Sequence, residues 1–421
     1  MFRKTKLSNG LRIVTLPLKN MAAVTLLVLF GTGSKYEQKE LNGISHLLEH
    51  MAFKGTRKRP HTLDIAKELD RVGGLYNAFT AKEFMGFWVK VEKSHLNLAF
   101  DVLSDMLFNS LFEEKEIEKE KKVIFEEINM IKDSPQSYVL ELWEKLLYRD
   151  QPAGWMVSGT KETVAKISRQ DIIYYLKKQF TAKNAVIALA GNFQEGRVLS
   201  QIKKYFQAFL PQEPRAKKPT KEIQKAPQML IYFKETDQTH LCLGVRTFDL
   251  FSPKKYILSV ISTLLGGIMS SRLFIEIREK RALGYYIHSF CQHYTDTGYL
   301  VTQAGIDNQR VKTAIRIILK EFKKLREKKV TPEELKRAKE NLKAKIYLSL
   351  ETSDAWANFL ATQEILEKKI SSPEEKCAMI ERVTANDVLK VAQEIFRANK
   401  LNLALIGPFK EKKEFEGLLD I

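Results

Sequence analysis

The chain reads as one folding unit written twice, and few architectures satisfy that. Residues 168–193 and 384–409 align without a gap: Asp171, Phe180, Ala182, Ala188, Leu189, Gly191 and Phe193 meet Asp387, Phe396, Ala398, Ala404, Leu405, Gly407 and Phe409. Each copy has the pattern of a helix with Asp near its start, a short turn, and an apolar strand closed by Gly. A second correspondence lies nearer the start of each half, where the segment from Ile44 to His50 meets the segment from Ile261 to Gly267. Between the halves, residues 211–221 carry three prolines and four basic residues in eleven positions, which no regular buried element tolerates. The expected organisation is therefore a first domain over 1–210, a linker over 211–227 and a homologous second domain over 228–421.

Within the first half the patterning predicts strands at about 11–17, 22–31, 75–81, 84–91 and 185–191. Helices are expected at about 43–53, 62–73, 95–108, 114–132, 136–147 and 169–180. Strands grouped together, with helices between and after them, point to an α+β class. Each domain should be a sandwich of a mostly antiparallel sheet and the helices packed on it.

With 421 residues, 44% of them apolar and 29% charged, the composition is that of a globular chain with material for two cores. No apolar run reaches the ~18–20 residues of a membrane helix, and the start of the chain lacks the pattern of a signal peptide or presequence. Three scattered cysteines, Cys242, Cys291 and Cys377, fit reduced thiols in a reducing compartment, so a cytoplasmic location is expected. The net charge of +18 could mark a nucleic-acid binder. The lysines, however, are spread along the chain and interleaved with glutamates, so solvated faces account for them and no nucleic-acid partner is expected.

Chemistry concentrates in His46-Leu47-Leu48-Glu49-His50. Helical residues four apart share a face, so both imidazoles can reach one metal ion, with the Glu49 carboxylate on the same side beside a metal-bound water. With seven histidines in the chain, a chance occurrence of this pattern has a probability on the order of 1%. Catalytic zinc usually takes three protein ligands. The helix expected over 114–132 supplies a third. Ile117, Glu120, Ile124, Glu127 and Ile131 share one face, and a carboxylate on an isoleucine stripe needs a counter-charge or a metal. Glu127 is the expected third ligand, with Glu126 the alternative; Glu120 is expected to orient a histidine or support the site's charge. The other histidines, His61, His95, His240, His288 and His293, have no metal-binding spacing and read as structural or surface residues.

These residues resemble a known family. The stretches 46–56 (HLLEHMAFKGT) and 118–127 (EKEKKVIFEE), with Asn77, Ala78, Phe79 and Thr80, look like the pitrilysin/insulinase group of zinc metallopeptidases. The likeness is to the branch that includes the mitochondrial processing peptidase beta subunit and its bacterial relatives. It implies one Zn²⁺ per chain on His46, His50 and Glu127, Glu49 as general base, and Glu120 assisting. Asn77, Ala78, Phe79 and Thr80 would form an edge strand that takes the substrate, a peptide or unfolded polypeptide. Arg278 and Tyr285 match an arginine/tyrosine pair brought onto the scissile carbonyl. The resemblance also implies two-domain chains facing each other around a closed chamber, here as a homodimer because both the zinc motif and the Arg/Tyr pair are present.

The second half keeps the scaffold without metal ligands. Thr263, Gly266 and Gly267 stand at the positions of His46, Glu49 and His50, and Lys345 at that of Glu127. A non-catalytic structural subunit of the same fold and one subunit of a heterodimeric peptidase are the competing readings.

Overall fold

The computed structural model describes residues 2–421. Eleven strands form two sheets: β1 (Arg3–Lys6), β2 (Arg12–Pro17), β3 (Ala23–Phe30), β4 (Leu75–Thr80), β5 (Met85–Glu92) and β6 (Ala185–Gly191) in one, β7 (Gln228–Phe233), β8 (Gln238–Thr247), β9 (Gly284–His293), β10 (Gly298–Asp307) and β11 (Leu401–Gly407) in the other. The first sheet runs β1-β2-β6-β3-β5-β4 and the second β7-β11-β8-β10-β9. Apart from β1, the two orders are the same. Each has one parallel pair, β2 with β6 and β7 with β11, and is otherwise antiparallel. The class is α+β, and the duplication is one of topology as well as sequence.

The helices expected in the first half form at Ile44–Met51, Thr62–Asp70, Leu96–Asn109, Glu114–Asp133, Pro135–Tyr148 and Arg169–Gln179. Ser168 and Thr384 cap their helices through matching boxes with Asp171 and Asp387, which is what the repeated Asp encodes. Three first-half elements lie outside the sequence expectation: β1, the helix Lys161–Lys166 and the helix Glu195–Phe206. β1 and Lys161–Lys166 are short and half or more charged, which leaves little apolar periodicity to read, whereas Glu195–Phe206 does carry it, with Val198, Ile202 and Phe206 buried four residues apart.

The compact units do not follow the sequence halves. One comprises the residues up to Asn129 with Trp155–Lys218 and Leu348–Ile370; the other comprises Met130–Gly154, Pro219–Tyr347 and Ser371–Ile421. Residues 211–227, expected to be a linker, contain no helix or strand, and they divide between the units after Lys218.

The exchange has a packing cause. Central strands are buried on both faces, and along β6 Ala185, Ile187 and Leu189 enter one core while Val186, Ala188 and Ala190 enter a second. The helix Ser353–Leu366, from the second half of the sequence, covers that second face with Ala357, Leu360, Ala361 and Ile365. In the other unit, Leu401, Leu403 and Leu405 of β11 face one core and Ala404 and Ile406 another. There the covering helix is Pro135–Tyr148, from the first half, with Val139, Leu142, Trp143 and Leu147. Each buried aliphatic side chain is worth about 1.5–3 kcal/mol, so each sheet depends on a helix encoded in the other half.

Among the described residues no helix is long and apolar enough to cross a membrane, and the three cysteines are free thiols.

Candidate metal centre

The site is built in the first unit on the helix Ile44–Met51. Ile44, Leu47, Leu48 and Met51 recur at helical spacing and are buried, which turns His46, Glu49 and His50 to the opposite, half-buried side. The helix begins after Gly43, whose φ of 101° lies in the left-handed region. A Cβ there would stand 2.8 Å from the Ser158 carbonyl oxygen and from Val164 Cγ2.

The first turn is held by a buried carboxylate. Glu37 accepts hydrogen bonds from the backbone N–H groups of Gly43 and Ser45 and from Asn42 Nδ2, each at 2.8 Å. Glu37 thus acts as the missing side-chain cap. The Tyr175 hydroxyl lies 2.8 Å from both Ser45 Oγ and Thr32 Oγ1, fixing the same turn to the chain just past β3 and to the helix Arg169–Gln179. Nothing in the spacing of Glu37 or Tyr175 announces these partners, which come together only through the fold.

The helix Glu114–Asp133 buries Ile117, Glu120, Ile124 and Ile128, and its Glu127 meets the two histidines. Glu127 Oε2 lies 3.5 Å from His46 Nε2 and Glu127 Oε1 lies 3.7 Å from His50 Nε2. His46, His50 and Glu127 each offer a ligand atom, all within 4.8 Å of one another. Among the described residues this is the one such group. Glu126 is exposed and pairs instead with Asn129 Nδ2 at 3.3 Å. The two imidazole rings stand 4.7 Å apart at 71°, so neither stacks over the other's nitrogen.

A second layer holds these groups. Glu120 Oε2 lies 3.1 Å from His50 Nδ1, and its other oxygen is 2.6 Å from Lys54 Nζ. This fixes the ring of His50 and directs Nε2 toward Glu127. Lys54 is a participant that sequence reasoning misses. Its signal is its position one turn beyond His50, just past the helix end. Glu49 Oε2 accepts a hydrogen bond of 2.5 Å from Thr80 Oγ1, at the end of β4.

The electrostatics suit a divalent cation. Burial, and then the neighbouring His50, push His46 down to about 4, so its ring is neutral and able to donate a lone pair at pH 7. Burial would also lower His50, but its hydrogen bond to Glu120 and the charges of Glu127, Glu49 and Glu120 together raise it. Burial raises Glu49, against the opposing hydrogen bond from Thr80. Glu120 is held below the usual carboxylate range because hydrogen bonds to His50 and Lys54 outweigh its burial. Three carboxylates and one ammonium surround the two imidazoles. Two nitrogen donors and one carboxylate oxygen are a donor set that zinc takes in catalytic sites.

Asn77, Ala78, Phe79 and Thr80 lie on β4, an edge of the first sheet. The motif helix packs against this strand. The Ala78 N–H is taken by Asn77 Oδ1 at 2.8 Å. Arg278 and Tyr285 belong to the other unit and lie together: the guanidinium sits 5.4 Å from the Tyr285 ring centre and 4.9 Å from that of Phe274. Tyr285 is 75% exposed, and Ala282 between them holds a φ of 46°.

Also in that unit, the counterpart of the motif segment, Thr263–Gly267, winds as a π-helix. Lys345 donates from Nζ to the Gly267 carbonyl oxygen at 3.1 Å. An ammonium thus reaches the counterpart of His50.

Comparison with known proteins agrees across the chain. Residues 12–161 match the family model described as Insulinase (Peptidase family M16), and residues 166–342 match the one described as Peptidase M16 inactive domain. YmxG of Bacillus subtilis, called an uncharacterized zinc protease, is 35% identical over 97% of this chain and 98% of its own length. A protein of Streptomyces coelicolor with the same description is also 35% identical, over 98% of this chain and 90% of its own. The crystal structure of a protease from Helicobacter pylori matches with a TM-score of 0.90 at 23% identity, covering 97% of this chain and 99% of that one. A chain of complex III from Candida albicans matches with a TM-score of 0.85 at 20% identity, covering both chains fully. These two likenesses speak for the fold. The sequence matches say more: the chain belongs to the insulinase family, peptidase family M16.

Proposed function

We propose that the protein is a zinc-dependent endopeptidase acting on peptides or unfolded polypeptides, with His46, His50 and Glu127 holding one Zn²⁺ per chain. The observation that carries this reading is the convergence of two imidazole nitrogens and one carboxylate from two helices, with a fourth group, Glu49, half-buried beside them. When bound, the metal lowers the pKa of water from ~15.7 toward ~7 and polarises the scissile carbonyl.

The remaining work falls to the chain. Glu49 takes a proton from the attacking water and returns it to the leaving amine, a task suited to a carboxylate raised by burial. Glu120, tied to Lys54, keeps the His50 ring oriented. The free edge of β4 pairs with an extended peptide through main-chain hydrogen bonds, which tolerates many side-chain sequences. The family resemblance assigns Tyr285 and Arg278 to stabilising the oxyanion. Two copies enclose a chamber that admits chains by size and unfolded state; light scattering should give twice the mass of the chain, and a monomer that retains full activity would refute that part.

The decisive test is hydrolysis of a quenched fluorescent peptide with and without a chelator, alongside zinc analysis. The expected result is about one zinc per chain, activity lost with chelation and restored by zinc. A protein that binds no zinc and cleaves nothing is instead a non-catalytic member of the family.

A further inference from the structure

The end of strand β4 makes a contact with the motif helix that bears on Glu49. Thr80 closes the strand, pairs with Met85 of β5, and directs its hydroxyl 2.5 Å from Glu49 Oε2. A hydroxyl so placed removes the freedom of one of the two carboxylate oxygens. The corresponding place in the other unit is built differently. There β9 is the edge strand, and a Cβ at Gly266, the counterpart of Glu49, would lie 2.5 Å from Ser289 Oγ and 2.6 Å from Ser289 N. That strand lies directly on the helix. In the first unit the Glu49–Thr80 pair fills the equivalent space between strand and helix.

We propose that Thr80 is a positioning residue that sets the orientation of the Glu49 carboxylate and links it to the edge strand that receives the peptide. A peptide adding to β4 would pair with the same strand whose last residue holds the base, so substrate docking and base alignment share one rigid element. The inference rests on the reading of Glu49 as general base. It differs from a role for Thr80 in gripping the peptide, because removing a group that only binds substrate raises KM, whereas misaligning the base lowers kcat.

The test uses the zinc-loaded full chain with Thr80→Val, which keeps the β-branched shape and removes the hydroxyl, and Thr80→Ser, which keeps the hydroxyl. Thr80→Val should lower kcat by about tenfold or more, with KM and zinc content unchanged, and Thr80→Ser should restore most of kcat. A crystal structure of metal-free Thr80→Val should show the Glu49 carboxylate turned from its wild-type position. The inference is overturned if Thr80→Val keeps the wild-type kcat, if its loss appears in KM alone, or if Glu49 stays in place. If the wild-type protein shows no chelator-sensitive hydrolysis, the proposed function fails instead, and the crystal structures alone judge the link between Thr80 and Glu49.

Discussion

The two repeats share a strand order and a covering-helix device, yet only the first assembles a cluster of metal-ligating side chains among the described residues. The difference lies in the space between the motif segment and the edge strand. In the first repeat an α-helix of eight residues packs on β4 with the Glu49 and Thr80 side chains meeting between them. In the second, a five-residue π-helical stretch ending in Gly266 and Gly267 lies against β9, and Lys345 caps the Gly267 carbonyl. A duplicated scaffold can therefore keep its packing while its chemistry is closed off. The changes needed are small: a histidine replaced by threonine and two side chains removed at the helix, and a carboxylate replaced by an ammonium.

The comparison can be broken most severely at Glu49. Glu49→Gln should retain zinc and cut peptide hydrolysis by about 10²–10⁴-fold, measured as kcat alongside metal content. In the second repeat, Lys345→Glu should create no zinc affinity, because Thr263, Gly266 and Gly267 supply no partner ligands. A second zinc per chain in that variant would show that the scaffold alone encodes the site.

A smaller effect is expected one layer out. Glu120→Gln weakens the hold on His50 and should cost about 10–100-fold in zinc affinity, read by competition with a chelating dye. The difference between the repeats is sharpened further at Gly266. Gly266→Ala forces a Cβ into Ser289 and should destabilise by about 1–3 kcal/mol. Glu49→Ala, at the equivalent position, should leave the metal-free Tm within error. Equal effects at the two positions would contradict the spacing argument.

The smallest effect concerns a charge cluster in the first unit. Arg59 binds Glu68, Asp101 and Asp105 at 2.6–2.8 Å, and Lys58 binds Asp101 at 2.5 Å. Burial would raise Asp101, but these cations hold it below its ordinary value. Its folded pKa being depressed, the stability it contributes is fully present above the unfolded value of ~3.9 and is lost as pH falls through the lower folded value. Asp101→Asn should lower Tm slightly at pH 7, by the equivalent of roughly 1 kcal/mol or less, and the gap to wild type should close in strong acid. A gap that stays constant down to about pH 2 would mean packing, not charge.

Much of the fold is legible in the sequence because its signals are local. The capping boxes completed by Asp171 and Asp387, the Gly that closes each repeat strand, and the apolar run of β3 each follow from a few neighbouring residues. The candidate ligand pair is legible for the same reason, since one helical turn relates His46 to His50. Glu127 and Glu120 can be read because carboxylates on an isoleucine stripe contradict a solvated face. Lys54, Glu37 and Tyr175 escape such reading. Their partners lie elsewhere in the fold, and no periodicity marks a hydrogen bond between distant segments. Thr80 stands out in sequence only as part of a substrate-binding strand; its bond to Glu49 depends on how closely β4 approaches the motif helix.

The sequence by itself determined the duplication, the two sheets' shared pattern and the candidate ligands on their helices, because these depend on spacing along a regular element. Only the tertiary structure decided that each sheet borrows its second covering helix from the opposite half of the chain. It alone also decided that Glu37 holds the motif helix, and that one repeat leaves room for a carboxylate where the other does not. Those outcomes depend on gaps of a few ångströms between distant segments, which are set by packing the whole core and not by the local run of residues.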